Sequence, residues 1–200
     1  KEFKKEHILF VVDVDNEANL TDLSNNEELT RLDLVKQAIS NFVHIKEQMN
    51  SGHSYSLMIL EDTARMACAN FKDVGKFCTE IAELKAEESY NSCDFSSVYR
   101  LANPSKRYQI IRIIFIYFRS KVLLTELQTQ YTKKFAELDN CYFDAIYIHT
   151  NPDPQNFVQD IYNAIQAQEK SNGSYIFETC SNGKKFYYAF AQLLANASQR

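Results

Sequence analysis

The hydrophobic pattern changes period several times along the chain, and each change marks an element. His7-Ile8-Leu9-Phe10-Val11-Val12-Asp13 is a continuous apolar run ending in an acid, which predicts a parallel strand buried on both faces. A polar stretch from Asp15 to Asn26 reads as a loop. Thr30-Arg31-Leu32-Asp33 has the form of a capping box, and Leu32, Val35, Ile39, Phe42 and Val43 then recur at helical spacing. This helix is expected to end near Asn50, with Gly52 as its stop. Tyr55 to Leu60 predicts a second strand and Thr63 to Cys68 a short third. Phe71 to Ala86 is helical, with Val74, Phe77, Ile81 and Leu84 on one face, and a short helix follows near Phe95 to Leu101. Tyr108 to Tyr117 is nearly all β-branched or aromatic, the strongest strand signal in the chain. A helical segment around Leu124 to Leu138 precedes another buried strand, Phe143 to His149. Asp153 is placed to cap the next helix, with Pro154 at its first position and an end near Gln168. Asn172-Gly173 turns into a last strand, Tyr175 to Glu178, and Ser181-Asn182-Gly183 leads into a closing helix with Phe186, Tyr187, Phe190 and Leu194. Apolar strands alternating with helices predict an α/β fold. Its mostly parallel, doubly wound sheet carries helices on both faces, and residues 1–200 form a single domain.

Composition then removes function classes. Of 200 residues only four are glycine, Gly52, Gly75, Gly173 and Gly183, at least ten positions apart, so no glycine-rich phosphate cradle can be written. The 22 basic and 26 acidic residues give a net charge of −4, which offers no broad footprint for nucleic acid or an anionic membrane. The longest apolar run, Ile113 to Phe118, is far short of the roughly 20 residues that span a bilayer. The opening Lys1-Glu2-Phe3-Lys4-Lys5-Glu6 has no signal-peptide hydrophobic region. Cys68, Cys78, Cys93, Cys141 and Cys180 are an odd, widely spaced set without C-x-x-C, which argues for reduced thiols in the cytoplasm or nucleus. The sequons at Asn19, Asn172 and Asn196 are inert without a secretory route.

Open α/β sheets carry their sites at the carboxyl ends of the strands. Asp13-Val14-Asp15-Asn16-Glu17 directly follows the first strand, and three alternate carboxylates there are of the type that ligates a hard divalent cation. Acids after a strand are also ordinary loop and capping residues. A strand followed by D-x-D resembles the first motif of the haloacid dehalogenase phosphatases, in which the first Asp, here Asp13, would be the nucleophile. The later acid pair that such an enzyme needs is missing: Arg119-Ser120-Lys121 and His149-Thr150-Asn151 follow the next strands. An EF-hand fails at Ala18 and Ser24.

The same residues resemble the von Willebrand factor A fold, whose metal site has D-x-S-x-S after the first strand, a Thr from a second loop and an Asp after the fourth strand. Asp13, Asp15 and Glu17 match the first spacing, Ser89 to Asp94 supplies a second loop without Thr, and Arg119 and Ser120 stand where the Asp belongs. Arg119 or Lys121 would repel a metal and pair with Asp13 or Asp15. The site is expected to be degenerate, with no metal and no cofactor. A metal-dependent ligand-binding A domain using Asp13, Asp15 and Glu17 is the alternative.

His7, His44, His53 and His149 are isolated in the sequence and form no metalloprotease motif, and no cysteine is singled out beside a histidine. No catalytic residues are expected. On the last helix Phe186, Phe190 and Leu194 form a core stripe, which leaves Tyr187 and Tyr188 near the rim.

One family unites the A-type sheet with missing metal ligands. Ile8-Leu9-Phe10-Val11-Val12-Asp13, Ile110 to Tyr117, Cys141-Tyr142-Phe143-Asp144-Ala145-Ile146-Tyr147-Ile148-His149 and the closing Leu193-Leu194-Ala195 with Gln199-Arg200 carry the likeness from end to end. The chain resembles the MERIT-forty family, the von Willebrand factor A-like scaffold subunits of the BRISC and BRCA-one-A deubiquitinase complexes. The resemblance implies a non-catalytic scaffold, cytoplasmic and nuclear. Its partner would be a BRE-like ubiquitin-E2-variant subunit and, through that, a JAMM metalloprotease that cleaves lysine-sixty-three-linked ubiquitin chains. It also implies that Leu193, Leu194, Gln199 and Arg200 contact the partner.

Overall fold

The structure, a computed structural model, describes residues 4–23, 28–103, 110–170 and 173–195. Six strands form one sheet in the order β3-β2-β1-β4-β5-β6. They are β1 (Glu6–Asp13), β2 (Ser54–Leu60), β3 (Ala64–Phe71), β4 (Ile110–Tyr117), β5 (Cys141–His149) and β6 (Ile176–Cys180). All neighbours run parallel except β3, which returns antiparallel to β2 at one edge. Every residue of β1, β4 and β5 is buried, as the continuous apolar runs require of strands covered on both faces.

The helices are α1 (Arg31–Met49), α2 (Val74–Ala82), α3 (Ser96–Ala102), α4 (Gln130–Ala136), α5 (Val158–Gln166) and α6 (Gly183–Leu193). α1, α2 and α6 cover the face that carries Ile8, Phe10, Val12, Ile114 and Ile146. α3, α4 and α5 cover the other, against Leu9, Val11, Ile113, Phe115 and Phe143. Alternate strand positions thus feed two separate cores. Chain direction along the sheet reverses between β1 and β4, so a crevice opens at the carboxyl ends of these two strands.

The capping box at α1 forms as expected: Thr30 Oγ1 accepts from the Asp33 N–H at 3.0 Å and Asp33 Oδ2 accepts from the Thr30 N–H at 3.1 Å. Other boundaries differ. Phe71 closes β3 rather than opening a helix, because Asp73 accepts from the Lys76 N–H and sets the start of α2 at Val74, three residues later. α4 is a short helix started by the Thr129 and Thr132 side chains, and Thr125 upstream of it is extended and bridges Asp94. Asp153 does not cap α5. Its carboxylate accepts from the Gln155 N–H at 2.6 Å in a local turn, and α5 begins at Val158 after Phe157, which makes no side-chain cap. Tyr108, with which the fourth strand was expected to open, lies outside the described residues.

Arg112, Lys46 and Arg31 are buried cations that belong to the fold. Arg112 in β4 is wholly buried, with Nε 2.6 Å from Asp144 Oδ2 on β5 and its guanidinium 5.9 Å above the Phe42 ring. Lys46 of α1 pairs with Glu6 at the start of β1, both side chains fully buried. Arg31, the first residue of α1, holds Asp22 in a fork, Nε to Oδ1 at 2.7 Å and Nη2 to Oδ2 at 2.6 Å. The same guanidinium donates to the Ile148 and His149 carbonyls, tying the polar loop and α1 to the end of β5.

Candidate functional site at the β1–β4 strand ends

Asp13 is the last residue of β1 and Arg119 lies two residues beyond β4, so the crevice brings them together. Both side chains are fully buried. Arg119 Nε donates to Asp13 Oδ1 at 3.0 Å, with Nη2 at 2.9 Å from the same oxygen. The Asp15 N–H also donates to Oδ1, and the Phe118 N–H donates to Oδ2. Burial raises the Asp13 pKa, and the Arg119 guanidinium and the N–H groups that converge on the carboxylate oppose that rise. For Arg119 burial pulls the pKa down, and the facing Asp13 carboxylate overrides it and raises it.

The guanidinium reaches further than this one acid. Nη1 donates to the Ser92 carbonyl at 2.7 Å, and Nη2 donates to the Leu60 and Glu61 carbonyls at 3.2 and 2.7 Å. The rings of Tyr90 and Tyr117 lie 5.1 and 5.6 Å from its central carbon.

Asp15 and one oxygen of Glu17 are spent on the backbone, while Glu17 Oε2 is buried without a hydrogen-bond partner. Asp15 Oδ1 accepts from the Glu17 N–H at 2.9 Å and starts a 3-10 turn over Asn16–Asn19, and Oδ2 accepts from the Tyr90 N–H at 2.8 Å. Glu17 Oε1 accepts from the Ser120 N–H at 2.8 Å. Ser120 Oγ in turn accepts from the Thr150 N–H at 3.1 Å and lies 2.9 Å from the Thr150 hydroxyl. A cleft of about 510 Å³ opens beside this network, lined among others by Asp15, Glu17, Leu20, Tyr90, Lys121 and Thr150.

The structure therefore brings together Asp13, Asp15, Glu17, Arg119 and Ser120, and the loop from Ser89 to Asp94 contributes through Tyr90 and Ser92. Among the described residues no group of three or more His, Cys, Asp or Glu side chains is disposed to hold a metal ion. Lys121 lines the cleft and is exposed.

Cysteine chemistry finds no support in the geometry. Cys78 Sγ lies 3.9 Å from His44 Nδ1, but that nitrogen faces the Ser40 carbonyl at 2.7 Å. Cys180 pairs in register with His149, whose nitrogens face the Thr150 carbonyl and Glu178 Oε2 at 2.7 and 2.8 Å. His149 has both nitrogens engaged, and the His44 nitrogen that faces Cys78 is the one held by the Ser40 carbonyl, so neither pair is arranged for a thiol proton transfer. Burial pushes the thiols of Cys68 and Cys141 up to about 11 and that of Cys93 to about 12, away from reactivity.

At the far end of α6, Leu193 is wholly buried in the core, whereas Leu194 is partly exposed. Leu194 lines a groove of about 170 Å³ between α1 and α6, with Phe42, Ile45, Tyr187 and Ala191. Ile45 is 41% exposed and Tyr187 50%. Gln199 and Arg200 lie outside the described residues.

No family model matches the sequence. Among curated proteins, the chain is 22% identical over 214 aligned positions to BRISC and BRCA1-A complex member 1 of Xenopus laevis, covering 98% of this chain and 64% of that protein. The human protein of the same name is 20% identical, with 98% and 65% covered. The chain is thus similar along 98% of its length to the BRISC and BRCA1-A complex member 1 proteins. It spans just under two thirds of the length of these relatives. Solved structures place the fold: the SpRpn10 VWA domain superposes with a TM-score of 0.67 at 15% identity, covering 98% of both chains. Proximal thread matrix protein 1 from the mussel byssus, solved with a zinc-occupied MIDAS motif, matches 96% of this chain and 45% of its own, with a TM-score of 0.60 at 11% identity. The fold is that of a von Willebrand factor A domain. Among the described residues no helix is long and apolar enough to cross a membrane.

Proposed function

We propose that this chain is a non-catalytic scaffold subunit of a BRISC-like deubiquitinase complex. In this reading it binds a BRE-like ubiquitin-E2-variant subunit and through it supports a JAMM metalloprotease that cleaves lysine-sixty-three-linked ubiquitin chains. The observation that carries the reading is the alignment with complex members over 98% of the chain, joined to an A-type fold. The site geometry agrees with it: the strand-end acids are engaged in internal hydrogen bonds, and the His44 nitrogen that faces Cys78 and both nitrogens of His149 already have other partners. Five free cysteines suit the reducing cytoplasm and nucleus, where we place the complex.

For the partner contact we assign the α1–α6 groove, which holds Leu194 beside the exposed apolar side chains of Ile45 and Tyr187. Leu193 serves the core beneath it. Co-expression with a BRE-like subunit tests the reading. The two are expected to co-purify in a stable ratio, and Ile45→Glu with Tyr187→Glu is expected to break the pairing without unfolding the chain. Absence of any co-purification by the unaltered chain would refute it.

A further inference from the structure

An A-type fold implies a divalent cation at the strand ends, and the residues of this chain do not fit one. A hard cation needs several oxygens free to approach to about 2.0–2.6 Å. Here all of the oxygens in question but Glu17 Oε2 are already engaged, and a single buried oxygen does not make a cation site. Asp13 accepts from Arg119, Asp15 and Phe118, and Asp15 accepts from the Glu17 and Tyr90 amides. Glu17 Oε1 accepts from the Ser120 amide, and Ser120 Oγ meets both donors of Thr150.

We propose that Arg119 is the resident cation of this site, a tethered guanidinium that does what a divalent ion does elsewhere in the fold. It neutralises Asp13 and, through the carbonyls of Leu60, Glu61 and Ser92, draws the ends of β1 and β2 and the loop around Ser92 onto the end of β4. A metal ion comes and goes with its concentration; a side chain does not. The cleft beside Arg119 is therefore built permanently, whichever partner the protein takes. The rings of Tyr90 and Tyr117 fit a planar, delocalised cation, and a lysine ammonium offers neither its shape nor its spread of donors. Arg119 is thus a positioning residue for the loops of this surface.

Thermal unfolding of the 200-residue chain, with amide hydrogen exchange, tests the proposal. The unaltered chain is expected to melt at the same temperature in chelator and in excess Mg²⁺ or Mn²⁺. A divalent ion that raises its melting temperature overturns the idea, and this arm needs no variant. Arg119→Ala is expected to melt lower and to exchange the Asp15 and Tyr90 amides roughly a hundredfold faster, as loss of a buried charge partner implies. Low concentrations of methylguanidinium should then restore part of the melting temperature by binding the vacated space, whereas methylammonium should not. Equal response to the two ions, or no loss of stability in Arg119→Ala, would count against the proposal. Should Arg119→Ala not fold, Arg119→Lys takes its place. It is expected to show the same fast exchange despite its retained charge, and exchange as slow as in the unaltered chain would overturn the proposal.

Discussion

Arg119 and Asp13, 106 residues apart in sequence, meet as a fully buried ion pair at the point where the sheet changes direction. Removing one member of such a pair leaves an uncompensated buried charge, which costs more than the pair itself contributes. Asp13→Ala is therefore expected to destabilise the chain by about 3–5 kcal/mol in urea unfolding. The double variant Asp13→Ala, Arg119→Met should lose less than the sum of the two single losses.

Acid sensitivity follows from two buried histidines. His7 and His53 are almost fully inaccessible, and burial lowers both to about 4 from the ordinary 6.5. A histidine held neutral in the folded chain takes up its proton more readily when unfolded, so its contribution is fully present above pH about 6.5. It is lost as the pH falls from there to about 4. Over that interval each site should cost on the order of 3 kcal/mol. Denaturant titrations at pH 7 and pH 5 should show the loss, and His7→Gln should flatten the pH dependence.

The Arg31–Asp22 fork fixes a loop to a helix start and a strand end. Asp22 stays partly open to solvent, so Asp22→Ala should cost less than loss of Asp13, about 2–3 kcal/mol. Hydrogen exchange should speed at Arg31, whose N–H donates to the Leu20 carbonyl.

Tyr187 is half exposed, and truncating an exposed side chain normally moves stability by less than about 0.5 kcal/mol. Tyr187→Ala should therefore leave the unfolding curve in place and weaken capture of a BRE-like subunit. A large drop in stability would place Tyr187 in the fold rather than in an interface.

Elements whose causes are local were legible in the sequence. The buried strands announce themselves as unbroken apolar runs, and the Thr30–Asp33 box sets the start of α1 within four residues. The acids after β1 stood out by their spacing, and the resemblance to the A-type metal site put Arg119, after β4, beside them. The partners of the cations were out of reach, because they depend on pairings set by the whole sheet. Arg112 sits inside the strongest strand, and nothing near it in the sequence indicates that Asp144 on the neighbouring strand neutralises it. The same holds for the carbonyls that receive Arg119 and Arg31. Asp153 misled for the opposite reason: a good local cap was used by a nearer turn.

The placement of β1 between β2 and β4 also bears on how the chain is made. β1 leaves the ribosome well before the strand that covers one of its edges, which begins at Ile110. At ordinary elongation rates of 5–20 residues per second, roughly 5–20 s pass before β4 follows it. Through that interval an unbroken apolar strand waits with an open edge, the kind of segment that invites aggregation. Pairing with β4 removes that hazard, so the order of the strands in the sheet sets how long it lasts.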